Sequence, residues 1–66
     1  MLFKDKIKQW RLLSGLTQQE IADRIHKSRG AYMSYERGNS EPYLTTLLKL
    51  SDLYGKSLDE LMRDNK

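Results

Sequence analysis

Two helix-starting signals stand so close together that they fix most of what this chain can become. Thr17-Gln18-Gln19-Glu20 has the form of a capping box. In that motif the Thr hydroxyl accepts the Glu amide and the Glu carboxylate reaches back to the Thr amide. Ser28 is a second good N-cap. Each opens a segment of helical period, with Ile21, Ala22 and Ile25 inward in the first and Ala31, Tyr32 and Tyr35 in the second, which ends at Gly38. Only His26 and Lys27 separate the helix expected over 17–25 from the one expected over 28–37. So short a connection cannot fold two helices back antiparallel. They must cross steeply, and the second must project from the body. Its outward positions are then Arg29, Gly30, Met33, Ser34 and Arg37.

The remaining segments are also helical in period. Phe3, Ile7 and Trp10 mark a helix over 3–14, surrounded by Lys4, Lys6, Lys8 and Arg11, with Gly15 as its stop. Leu16 and Ile21 have hydrophobic-staple spacing about the Thr17 cap. Gly38-Asn39-Ser40-Glu41-Pro42 is a loop by composition. A fourth helix is expected over 44–54, with Leu47, Leu50 and Leu53 inward and Gly55 as its stop. Ser57-Leu58-Asp59-Glu60 is a second capping box and opens a short fifth helix, with Leu58 and Leu61 inward. The expectation is an all-α fold, a compact five-helix bundle formed as one domain over 1–66. A chain of 66 residues has room for one small core. It holds no cysteine, so no disulfide or thiolate metal site staples it. No apolar run is long enough for a transmembrane helix or a signal peptide, and a cytoplasmic protein is expected.

Charge is unevenly spread. Residues 1–37 carry eight Lys/Arg against four acids, and residues 38–66 carry four against five. Within 24–37 there are four cations and one acid. A basic front and a neutral rear suit a polyanion on one face, although an ordinary solvated surface can carry the same charges. A projecting helix with a cationic first turn is the shape that enters a DNA major groove. Catalysis finds little support. There is one His, no Cys, no HExxH and no phosphate-binding glycine loop, and no third group orients His26 beside Ser28. No enzyme activity, cofactor or metal is expected. A third possibility is that residues 3–14 form an amphipathic helix lying on a membrane surface.

The ordered set of residues resembles the phage-repressor and Cro type of helix-turn-helix, also called the xenobiotic-response-element family. The resemblance runs from about Ile7 to Leu61. It is carried by Arg11, Gly15-Leu16-Thr17-Gln18-Gln19-Glu20-Ile21-Ala22, Ser28-Arg29 and Tyr35-Glu36-Arg37-Gly38. Pro42, Thr46-Leu47-Leu48-Lys49-Leu50 and Ser57-Leu58-Asp59-Glu60-Leu61 complete it. Two positions depart from the family pattern. His26 and Lys27 stand where a Gly and a small apolar residue are usual, so His26 must take a left-handed conformation and Lys27 must lay its stem over the core. Tyr43 replaces the usual Ser N-cap of the fourth helix.

The resemblance implies roles residue by residue. Gln18 matches a position that bonds a DNA phosphate. Arg29 matches the first base-reading position, and its planar fork can meet guanine O6 and N7. Met33 and Ser34 match further base-reading positions, with an exposed Met33 suited to a thymine methyl; Gly30, counted with them, either lets the backbone approach the groove closely or is a tolerated first-turn glycine. Lys27, Arg37 and Asn39 are phosphate candidates. Arg11 and Glu36 match a partly buried ion pair that ties the first helix to the projecting one, so they are structural. The expected partner is double-stranded DNA, bound through the major groove by a repressor acting as a homodimer on a palindromic operator. Leu12, Leu13, Tyr43, Leu44, Leu48, Tyr54 and Met62 either finish a small core or form an apolar surface; the second case makes the fourth and fifth helices a dimer seam. The length leaves no room for a ligand-sensing domain, so no small-molecule ligand is expected. The alternative function is an antitoxin or co-regulator whose main role is binding a protein partner.

Overall fold

A computed structural model describes residues 1–63, and five helices follow one another along them. They are α1 (Phe3–Ser14), α2 (Gln18–Arg24), α3 (Arg29–Arg37), α4 (Leu44–Tyr54) and α5 (Leu58–Met62). There is no strand among the described residues. The helix starts form as the side chains dictate. Thr17 Oγ1 accepts the Glu20 amide at 3.1 Å while Glu20 Oε1 accepts the Thr17 amide at 3.0 Å. Ser57 and Glu60 repeat this pair at 3.1 and 3.2 Å, and Ser28 Oγ accepts the Ala31 amide at 3.1 Å. Tyr43 makes no such bond, so α4 begins without a side-chain cap. Burial of Thr46 and Leu50 on its inner face anchors it instead.

The joint between α2 and α3 is a Schellman turn. The Lys27 amide donates to the Ala22 carbonyl at 2.9 Å and the His26 amide to the Asp23 carbonyl at 3.3 Å. His26 takes φ of 59°, the left-handed conformation expected of it. The turn closes on backbone bonds alone. Lys27 is exposed rather than laid over the core, which corrects the expectation for its stem.

The core is Ile7, Ile21, Ala22, Ile25, Tyr32, Tyr35, Leu50 and Leu61, with Phe3, Trp10, Leu16, Leu53, Tyr54 and Leu58 packed around it. Helix α1 touches α3, α4 and α5. Its apolar face is therefore spent on the interior, which removes the reading of 3–14 as a membrane-surface helix. Among the described residues no helix is long and apolar enough to cross a membrane.

Lys6, grouped with the surface cations of α1, and Tyr54, left open between core and surface, prove to be structural. Lys6 is buried, and its ammonium donates to the Glu60 carbonyl at 2.8 Å and to the Arg63 carbonyl. It satisfies carbonyls at the C-terminus of α5, where a cation is favoured. Tyr54 belongs to the core margin. Its hydroxyl meets that of Tyr32 at 2.8 Å and its ring tilts against Trp10 at 5.8 Å. The other apolar-surface candidates are exposed: Leu12, Leu13, Tyr43, Leu44, Leu48 and Met62.

Candidate nucleic-acid interface

The rear of α3 is fastened to the body by buried polar groups. Tyr32 is fully buried, with its hydroxyl between that of Tyr54 and the Ile7 carbonyl, and its ring meets Tyr35 edge-on. One turn further on, Glu36 receives Arg11 through two bonds, Nε to Oε2 at 2.7 Å and Nη2 to Oε1 at 3.2 Å. The Glu36 side chain is 4% exposed and that of Arg11 12%. Arg11 also donates to the Leu16 carbonyl, and Gln18 Nε2 donates to Glu36 Oε1 at 3.1 Å. Burial pushes the Glu36 carboxyl up, but the bonds from Arg11, Tyr32 and Gln18 and the Arg11 charge outweigh it, and the group sits below its ordinary value. The bond to Glu36, opposed in part by burial, raises the Arg11 guanidinium. The ion pair expected of Arg11 and Glu36 is thus formed and shielded.

The front of α3 differs. Arg29, Gly30 and Arg37 are exposed, as are Lys27 before the helix and Asn39 after it. Met33 and Ser34 are half-buried, so Met33 is less open than its position suggests. The neighbouring Tyr32 and Tyr35 take the interior, and Met33 lies at the border between the two faces. The Ser34 hydroxyl accepts that of Ser40 at 2.9 Å, and the Ser34 carbonyl accepts the Asn39 amide at 3.0 Å. These bonds fix the turn after α3. Among the described residues no acidic partner pairs with Lys8, Lys27, Arg29 or Arg37.

An open cleft of about 550 Å³ lies where α1, α2 and α3 meet. Arg29, Arg37 and Gln18 line it, so three of the expected site residues come together there. Gly30, Met33, Ser34, Lys27 and Asn39 do not line it. Lys8 and Gln19 do, and neither was singled out from the sequence. Lys8 carried a readable signal, since it stands three residues before Arg11 and therefore shares its helix face. Gln19 carried none; its amide is held by Asp23 at 2.9 Å. The Arg11–Glu36 pair also borders this cleft. Because that pair is already neutralised, Lys8, Arg29 and Arg37 give the cleft a net positive character. Such a surface attracts an extended anion.

The model of the family described as helix-turn-helix matches residues 7–61. The chain belongs to the helix-turn-helix family. Within it the chain is similar to the cryptic phage CTXphi transcriptional repressor RstR of Vibrio cholerae, 35% identical over 65 residues, covering 98% of this chain and 59% of that protein. It is similar to the SPbeta prophage-derived uncharacterized HTH-type transcriptional regulator YonR of Bacillus subtilis, 40% identical over 62 residues, covering 94% of this chain and 57% of that protein. The helix-turn-helix chain thus spans little more than half the length of these curated relatives. Among solved structures, the P22 c2 repressor in complex with a synthetic operator superposes with a TM-score of 0.92 at 26% identity, covering 98% of each chain. This five-helix arrangement is that of a repressor's DNA-binding fold.

Proposed function

We propose that this helix-turn-helix protein is a sequence-specific double-stranded DNA-binding transcription regulator, acting as a repressor with α3 in the major groove. One observation carries the reading: α3 is locked to the body along its rear while its front presents unpaired cations beside a positive cleft. The operator complex of the similarly folded P22 c2 repressor supports it. In this reading Arg29, Gly30, Met33 and Ser34 read base edges, and Lys27, Arg37 and Asn39 hold phosphates. Lys8 joins them from α1. Gln18 joins by exchanging its Glu36 partner for a phosphate oxygen. No catalytic step is assigned to any residue.

The operator is palindromic and the protein binds it as a homodimer. Tyr43, Leu44, Leu48 and Met62 are 82%, 62%, 47% and 57% exposed, and they supply an apolar seam on α4 and α5. Lys49 and Asp52 on α4 are exposed and opposite in charge, which suits a two-fold contact where each meets the other's copy. Sedimentation equilibrium at tens of micromolar is expected to give a dimer; a monomer without DNA removes that seam. Selection from a random duplex pool tests the DNA reading. Enrichment of two inverted half-sites about one helical turn apart is expected. A pool that stays random, with folded protein, contradicts it. The exposed Leu12 and Leu13 then make a protein partner, as for an antitoxin or co-regulator, the leading role.

A further inference from the structure

Helix α3 packs on α1 and α2, while α4 packs on α1 and α5. The first group carries the DNA-facing side chains and the second the exposed apolar ones. Among the described residues one hydrogen bond joins α3 directly to α4: the hydroxyl of Tyr32 meets that of Tyr54 at 2.8 Å. Both rings are held in place. Tyr32 is fully buried, and its ring meets that of Tyr35 edge-on at 6.5 Å. The Tyr54 ring tilts against Trp10 of α1 at 5.8 Å, and the Lys56 ammonium lies 5.6 Å from the centre of the Trp10 ring.

Two phenylalanines would fill the same space with no polar atom to satisfy. The hydroxyl pair adds only modestly to stability, because unfolding returns both groups to water. What it adds is direction. Apolar contact is non-directional, whereas a hydroxyl pair holds at one separation and a narrow range of angles. A satisfied polar contact inside a core therefore selects one packing among several of similar energy. Here the packing it selects is that of α3 against α4. Helix α3 sets where each copy meets DNA, and α4 and α5 set where the second copy stands. In a two-fold dimer the angle between these parts fixes the separation of the two copies of α3.

We propose that the Tyr32–Tyr54 hydroxyl pair is a brace that sets this angle, and that Tyr54 is a positioning residue for operator spacing while touching no DNA itself. This rests on the reading of the protein as a DNA-binding homodimer with its seam on α4 and α5.

The hydroxyls can be removed without emptying the core. In Tyr54→Phe the Tyr32 hydroxyl keeps the Ile7 carbonyl, at 3.5 Å, as an acceptor. In the double variant Tyr32→Phe with Tyr54→Phe both partners go together, which is close to neutral for stability. The experiment uses the full chain as wild type, Tyr54→Phe and the double variant, with thermal unfolding recorded for each. Selection from a random duplex pool gives the half-site of each protein. Affinity is then measured on duplexes carrying that half-site alone, or as an inverted pair at the selected spacing and with one base pair added or removed. One base pair moves the second half-site by about 3.4 Å along the axis and by roughly 35° around it. Wild type is expected to prefer one spacing. Both variants should select the same half-site and bind it alone as wild type does. Their preference for the selected spacing over its neighbours should fall by about 2- to 12-fold, the contribution of one hydrogen bond. An unchanged spacing preference in both variants overturns the brace and leaves the dimer reading standing. Weakening by one factor on the lone half-site and on every spacing, or loss of fold in Tyr54→Phe, makes the pair purely structural and overturns the brace as well. If wild type itself shows no spacing preference, the homodimer reading fails and the brace fails with it.

Discussion

The two faces of α3 are built on opposite terms. Along the rear, Tyr32 and Glu36 are buried and each finds its partner within the protein. Along the front, Arg29 and Arg37 are exposed and have no acidic partner among the described residues. The same nine-residue helix thus carries a fastening and a free surface. The fastening fixes where the free side chains point. The free side chains contribute little to holding the helix, so they can change without loosening it. Recognition and stability are separable in such a design, and each can be broken alone.

The largest effect is expected on the rear. Glu36→Ala leaves the Arg11 guanidinium nearly buried without its carboxylate and removes the Gln18 acceptor. The expected loss is about 3–5 kcal/mol in urea unfolding, since an uncompensated charge remains in the interior. A loss under about 1 kcal/mol would mean that the ion pair does not hold the helix.

The same pair contributes to the acid sensitivity, as does Glu20, whose carboxyl the bonds to Thr17 hold below its ordinary value. The Glu36 carboxyl sits below its ordinary value of 4.5 in the folded state, so it binds protons more readily when unfolded. Its contribution is complete above the unfolded value and drains away as pH falls through the folded one. Stability measured against pH should therefore fall on the acid side below about 4.5, and Glu36→Gln should flatten that limb. Equal limbs would assign the acid response to other carboxylates.

Helix starts come next in size. Thr17→Ala breaks a reciprocal cap beside the cleft and should cost about 1 kcal/mol. Tyr43→Ser supplies a cap where α4 has none and should gain roughly 0.5–1 kcal/mol. Both are read from urea unfolding. The smallest stability effect belongs to the front. Lys27→Ala should change unfolding by less than about 0.5 kcal/mol, because the side chain is exposed and unpaired. On the proposed reading it weakens all DNA sequences alike and lowers the salt slope by about one per half-site. A change confined to one sequence would make Lys27 a base reader instead.

The fold was largely legible because its punctuation is local. Thr17 with Glu20, Ser57 with Glu60, Ser28, and the glycines that end α1, α3 and α4 each act within a few residues of themselves. The family pattern, with a Gly usual at that position, made the left-handed His26 readable. What escaped were side chains whose surroundings come from distant parts of the chain. Lys6 looks like one cation among several on α1, yet the end of α5 arrives over it and supplies two carbonyl acceptors. Tyr54 could be read as core or surface in the last turn of α4, and Tyr32 from α3 decides it by meeting its hydroxyl. Gln18 sits at a helix start that suggests a free amide, while Glu36 holds its side chain. Of the cleft, Arg29, Arg37 and Gln18 were readable from the family pattern. Lys8 was readable only as a neighbour of Arg11 on one helix face, and the packing of α1 against α3 brings it beside them.

The central claim is that the front of α3 reads DNA without holding the fold together. Its most direct test is selection from a random duplex pool by wild type and Arg29→Ala side by side, at about 150 mM salt, with the unfolding of each protein recorded. The account predicts equal stability within about 0.5 kcal/mol and a motif that relaxes at one position per half-site, a loss of roughly 1–3 kcal/mol in discrimination. An identical motif from both proteins, or an Arg29→Ala protein that has lost its fold, would contradict it.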